Sequence, residues 1–222
     1  MTVARPARPI GTVAPKPRLR GALHLGAFPV SLVSGAVLVL AVADEPAERW
    51  GCLVYALATA VLFGVSALYH RGTWDPGTRA LLRRLDHSNI FLMIAGTYTP
   101  ASVALLEGTE RTVVLTVVWI GALAGIVFRV AWLSAPAWLY TPFYVALGWV
   151  AVTVLPSLAD AGGGGVVALI VLGGVAYSVG GVVYALKRPD PVPHVFGYHE
   201  VFHACTLIGF VAHYAAVVLA VA

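Results

Sequence analysis

Four side chains have the types and spacing for metal chemistry: His70, Asp86, His199 and His203. They stand in three stretches far apart in the chain, "LYH" at 68–70, "RRLDHSNIF" at 83–91 and "YHEVFH" at 198–203. His199 and His203 are four residues apart, so on a helix they share one face a turn apart. Ser66 and His70 have the same spacing. Two imidazoles from one helix and a third from another make a donor set suited to zinc. Three protein ligands leave a fourth position open, which marks a catalytic rather than a structural site. A carboxylate beside it, Asp86, would orient or deprotonate a water there. The candidate metal ligands are therefore His70, His199 and His203, and the candidate catalytic residues are Asp86 and Ser66.

"HEVFH" also fits H-E-x-x-H, the zinc metalloprotease pattern in which the glutamate, here Glu200, is the general base. Only three positions are fixed, so the match is weak. An intramembrane protease of this kind takes a further aspartate ligand from a later helix, and the run holding this motif is the last in the sequence. Glu200 is instead expected on another helix face, near basic residues.

These groups lie in an apolar chain. Of its 222 residues 59% are hydrophobic and 11% charged, with a mean hydropathy of +0.87; soluble domains carry roughly 25% charged residues. The composition predicts an all-α integral membrane protein. The net charge of +4 does not mark a nucleic-acid binder, because the basic residues fall between apolar runs. Cys52 and Cys205 lie within runs and read as small packing residues rather than as a disulfide or ligands.

Seven runs approach the ~20 residues needed to cross a bilayer: 23–43, 50–70, 86–106, 112–133, 137–158, 164–186 and 198–220. Residues 1–20, rich in Pro, Arg and Lys, read as a disordered cytoplasmic tail before a seven-helix domain over 21–222. The connectors set the orientation. With the N-terminus inside, Arg5, Arg8, Lys16, Arg18, Arg20, Arg71, Arg79, Arg83, Arg84, Arg129, Lys187 and Arg188 are on the inner side, and only Arg49 and Arg111 are outside. Basic residues concentrate on the cytoplasmic side, so the N-terminus is expected inside and the C-terminus outside. That topology puts His70, Asp86, His199 and His203 at one level, the inner end of helices two, three and seven. The Gly run at 162–165 is expected to be an outer turn.

The other histidines look less promising. His24, at the inner end of helix one, reads as an interface residue and His194 as a solvated loop residue. His87 should point about 100° away from Asp86. His213 lies about 15 Å further along its helix than His203, too far to be a ligand. Gly96, Gly121, Gly125, Gly173, Gly174, Gly180 and Gly181 are expected to permit close helix packing. Pro100 is expected to kink helix three and open a cavity for an acyl chain.

"SALYH" at 66–70, "LRRLDHSNIFLMIAGTYTP" at 82–100 and "HEVFHACTLIGFVAHY" at 199–214 resemble the hemolysin III family. That family is related to the progestin and adipoQ receptors, which include the adiponectin receptors. The resemblance spans roughly residues 20–222. It implies zinc held near the cytoplasmic side of the bacterial inner membrane by His70, His199 and His203, with Asp86 holding a water and Ser66 beside it. The wider superfamily includes alkaline ceramidases, so it also implies hydrolysis of a lipid amide or ester in membrane lipid homeostasis. Two other readings are a sensor or regulator with structural zinc, and a channel-like or cytolytic protein. The few ionisable groups near the membrane midplane count against a transporter.

Overall fold

The structure is a computed structural model that describes residues 16–192 and 194–222. Most of the expected basic tail, residues 1–15, lies outside the described residues. Seven α-helices carry the described chain: α1 Ala22–Val37, α2 Pro46–Arg71, α3 Pro76–Leu105, α4 Gly108–Ala131, α5 Ala137–Gly148, α6 Leu155–Leu186 and α7 Tyr198–Val221. A π-helical turn, Leu38–Val42, extends α1, and a 3-10 segment, Trp149–Val154, joins α5 to α6. Among the described residues there is no β-strand, only an isolated bridge between Val192 and Phe196.

Local chemistry sets the helix ends. Asp75 caps α3, its Oδ1 accepting from the N–H groups of Gly77 (2.9 Å) and Thr78 (3.1 Å). Pro76 follows at the first helical position, where a missing N–H costs nothing. The hydrogen bonds with Thr78 and Gly77 hold the Asp75 carboxyl below its ordinary range. These signals start α3 ten residues before the expected boundary at 86. The extra turns carry Arg79, Arg83 and Arg84, which look like a loop when only apolar residues are counted. At α7 the N–H of Gly197 donates to Glu200 Oε2 (2.8 Å), one half of a capping arrangement.

Five helical stretches are long and apolar enough to cross a membrane: Ala22–Val42, Pro46–Arg71, Gly108–Ala131, Ala137–Leu186 and Tyr198–Val221. Ala137–Leu186 has 50 residues, about 75 Å of ideal helix against a hydrocarbon core of ~30 Å. It is not one rod. Gly163, at φ 79 and ψ 169, adopts a backbone conformation essentially reserved for glycine, inside the Gly run expected to be a turn. Tyr98 supports the other irregularity. Its hydroxyl donates to Gly148 O (2.7 Å) and accepts from Ala151 N–H (2.7 Å), satisfying backbone groups that lipid cannot.

α3 stands outside that set because polar residues dilute it. It does not need an apolar surface all round, since it packs against α2, α4, α5, α6 and α7. Apolar clusters flank it, one including Tyr55, Phe63, Met93 and Phe210, the other Phe91, Val118, Val154 and Leu158. Small residues bring the helices together: a Cβ on Gly96 would stand 2.6 Å from that of Ala58, and one on Gly125 would enter the Phe91 ring. α3 continues through Pro100 to Leu105. Exposed Leu40, Ile120, Val127, Val179 and Val211 give the outer helices the continuous apolar surface of a multi-pass membrane protein.

Candidate metal centre

Three helix ends converge on one polar cluster. His70 lies in the last turn of α2, Asp86 in the third turn of α3, and His199 and His203 in the first two turns of α7. Because α3 packs on both α2 and α7, residues more than a hundred positions apart meet. His70 Nε2 lies 3.1 Å from His199 Nε2 and 3.6 Å from Asp86 Oδ2. Each of His70, His199 and His203 offers one ring nitrogen within 4.8 Å of those of the other two. All three, with Asp86 and Ser66, are buried.

The donor set fits a small cation. Zinc at ~2.0–2.1 Å from each nitrogen in a tetrahedral site keeps its ligands about 3.3 Å apart, close to the His70–His199 separation. His203 Nδ1 is buried and has no hydrogen-bond partner among the described residues. Uncharged imidazole nitrogens facing one another in an apolar interior are costly without a shared proton or a metal. The cluster has the chemistry of a three-histidine metal group.

His24 departs from expectation. It is no interface residue: only 3% of its surface is exposed, and its ring stacks on His203 at 3.7 Å and 8°. Packing of α1 against α2 and α7 draws it inward, and the edge of Phe63 closes its other side. Neither ring nitrogen of His24 has a hydrogen-bond partner among the described residues. The available signal was its level: it begins helix one where the other histidines begin or end theirs.

The chain before α1 covers the cluster. Arg18 N–H donates to His194 O (2.9 Å), Leu19 N–H to Val195 O (3.2 Å), and the Arg71 guanidinium to Arg18 O (3.2 Å). Arg20 pairs with Glu200 at 2.5 Å. Glu200 is thus committed to Arg20 and Gly197, not turned to the histidines as a protease base would be. Gly21, at φ 76, lets the chain pass over α2; a Cβ there would stand 2.5 Å from that of His70. His194 is exposed.

On the other side of α3, Arg129 is completely buried. Its Nη2 lies 2.6 Å from His87 Nδ1, its guanidinium donates to the carbonyls of Trp132 (3.2 Å) and Leu133 (3.4 Å), and its Cζ sits 4.1 Å above the Tyr140 ring. His87 is turned from the three-histidine group, as the helical angle required.

A cavity of about 130 Å³ opens beside both clusters, walled by Ser66, Asp86, His87, His199 and His203 at one end and reaching Tyr98, Trp149 and His213. An adjoining cavity shares Tyr98, Trp149 and His213 and continues to Leu106 and Leu158. Among the described residues His213 hydrogen-bonds to no histidine; its Nε2 meets Ile170 O at 3.1 Å.

The profile of a family described as "Haemolysin-III related" matches residues 12–214. The "Hemolysin-3 homolog" of Bacillus subtilis (strain 168) is 31% identical over 201 residues, 89% of this chain and 91% of that protein. "Hemolysin-3" of Bacillus cereus is 31% identical over 135 residues, 61% of each chain.

Proposed function

The chain belongs to the haemolysin III family, and from that premise we propose that it is a zinc-dependent hydrolase of a lipid amide or ester, working inside the bacterial inner membrane. In this reading the helices cross seven times, the Gly163 break separating the fifth and sixth crossings. The N-terminus and the metal centre face the cytoplasm, as the positions of Lys and Arg favour. The observation that carries the proposal is the convergence of three imidazole nitrogens with a carboxylate 3.6 Å from one of them, at the mouth of an apolar-walled cavity.

His70, His199 and His203 would hold the zinc. Bound there, it would supply Lewis-acid polarisation and lower the pKa of water toward neutrality. Asp86 accepts the proton of the attacking water as general base and passes it to the leaving amine or alkoxide. Ser66 donates a hydrogen bond to the carbonyl oxygen as negative charge develops. Leu62, Ile90 and Met93 in the cavity wall exclude bulk water and take the start of an acyl chain, and the adjoining cavity extends that path.

The test is turnover of a panel of lipid amides and esters by purified protein, followed by mass spectrometry of the products. Asp86→Asn should keep its metal and lose about 10²–10⁴-fold in rate, the usual contribution of a positioned acid or base. Metal retained by wild type with no product from any lipid would instead favour a sensor with structural zinc.

A further inference from the structure

His87 and Arg129 form a second polar cluster that the proposed hydrolysis does not use. A guanidinium can only donate hydrogen bonds. The 2.6 Å contact from Arg129 Nη2 therefore makes His87 Nδ1 an acceptor, without a proton. A neutral imidazole then carries its proton on the other nitrogen, Nε2. His87 lines the cavity, and among the described residues Nε2 has no hydrogen-bond partner.

Charge decides what such a donor prefers. Among the described residues no carboxylate contacts Arg129; its partners are His87, two carbonyls and the Tyr140 ring. A buried cation without an anion is costly. Asp86, the preceding residue on the same cavity wall, opposes that charge, so the preference for negative oxygen rests on the Arg129 contact, whose field polarises the His87 ring and strengthens Nε2–H as a donor. Thr141, on the same cavity wall, has a buried hydroxyl oxygen with no partner among the described residues.

We propose that His87, backed by Arg129, is a subsite for an anionic oxygen, phosphate or carboxylate, on an amphiphile occupying the cavity. The subsite deepens the lipid hydrolase reading and rests on it only for the ligand being lipid-like; no metal is needed to form it. Arg129 acts through His87 as a positioning residue.

Equilibrium binding of decyl phosphate, decanoate and decanol to the full chain in a neutral detergent tests this. Wild type should bind one or both anions at least about tenfold more tightly than decanol, as a charge-assisted hydrogen bond requires. Whichever anion binds more tightly identifies the oxygen's source. His87→Phe, which keeps a ring but no donor, should erase the preference. His87→Gln, whose oxygen accepts from Arg129 while its amide donates to the cavity, should keep most of it. The His199→Ala/His203→Ala variant should also keep it, and this separates the subsite from the metal centre. Equal binding of all three amphiphiles by wild type, persistence of the preference in His87→Phe, or its loss in the double variant alone would overturn the proposal. Should His87→Phe not fold, NMR of wild type carrying isotope-labelled histidine decides: whichever of decyl phosphate and decanoate binds more tightly, and not decanol, must shift one Nε2–H signal.

Discussion

Asp86 and His87 are neighbours in sequence, yet they serve opposite kinds of surroundings. On the α2–α7 side of α3, His70, His199 and His203 bring ring nitrogens together around a carboxylate; that side is rich in electron-pair donors and suits a cation. On the α4–α5 side, a buried guanidinium and a histidine tautomer fixed by it are rich in hydrogen-bond donors and suit an anion. The angle of about 100° between successive helical residues is enough to separate the two within one helix. A polar pair of neighbours in one helix is thus read by what each partner faces, not as one unit.

The largest expected effect removes one side alone. Ala at both His199 and His203 should lower zinc affinity by more than the 10–100-fold typical of losing an outer partner, measured by competition with a chelator. Arg129→Lys should leave that affinity unchanged; a parallel loss would mean that the two sides are one network.

Arg129→Lys should instead cost stability. Lysine cannot reproduce the planar fork that reaches His87 and two carbonyls above Tyr140, and the loss should be about 1.5–3 kcal/mol, the value of a hydrogen bond to a charged group, read from unfolding in detergent. An unchanged midpoint would show that the donor-rich side is not organised by the guanidinium.

A smaller effect is expected at His24. His24→Phe keeps the stack on His203 and should hold zinc within a few-fold of wild type. His24→Ala opens space beside a proposed ligand and should weaken it about tenfold, in the range for second-layer groups. Equal losses in both variants would give His24 a role through its nitrogens rather than its ring face. Smallest for the metal, and confined to the cover over His70, is Gly21→Ala. It forces a Cβ into a positive-φ position and should destabilise by about 1 kcal/mol or more, with zinc stoichiometry kept.

Much of the histidine side was legible in the sequence. His-x3-His fixes a shared face on any helix, and counting Lys and Arg placed His70, Asp86, His199 and His203 at one level. His24 was at that level too, but only the packing of α1 on α2 and α7 shows that it turns inward. The donor-rich side was much less readable. His87 was expected to point away from Asp86, but nothing in "RRLDHSNIF" says that Arg129, forty-two residues later, meets it. Such a pair depends on which faces of α3, α4 and α5 adjoin. The early start of α3 was hidden for another reason: an Asp-Pro cap followed by an arginine-rich helix turn has no apolar run to mark it.

The measurement that bears most directly on the account is the metal content of detergent-purified protein by mass spectrometry, wild type beside the His199→Ala/His203→Ala variant. The account expects one zinc per chain in the wild type and none in the folded variant. A well-folded wild type without metal, or a variant that keeps its zinc, would contradict it.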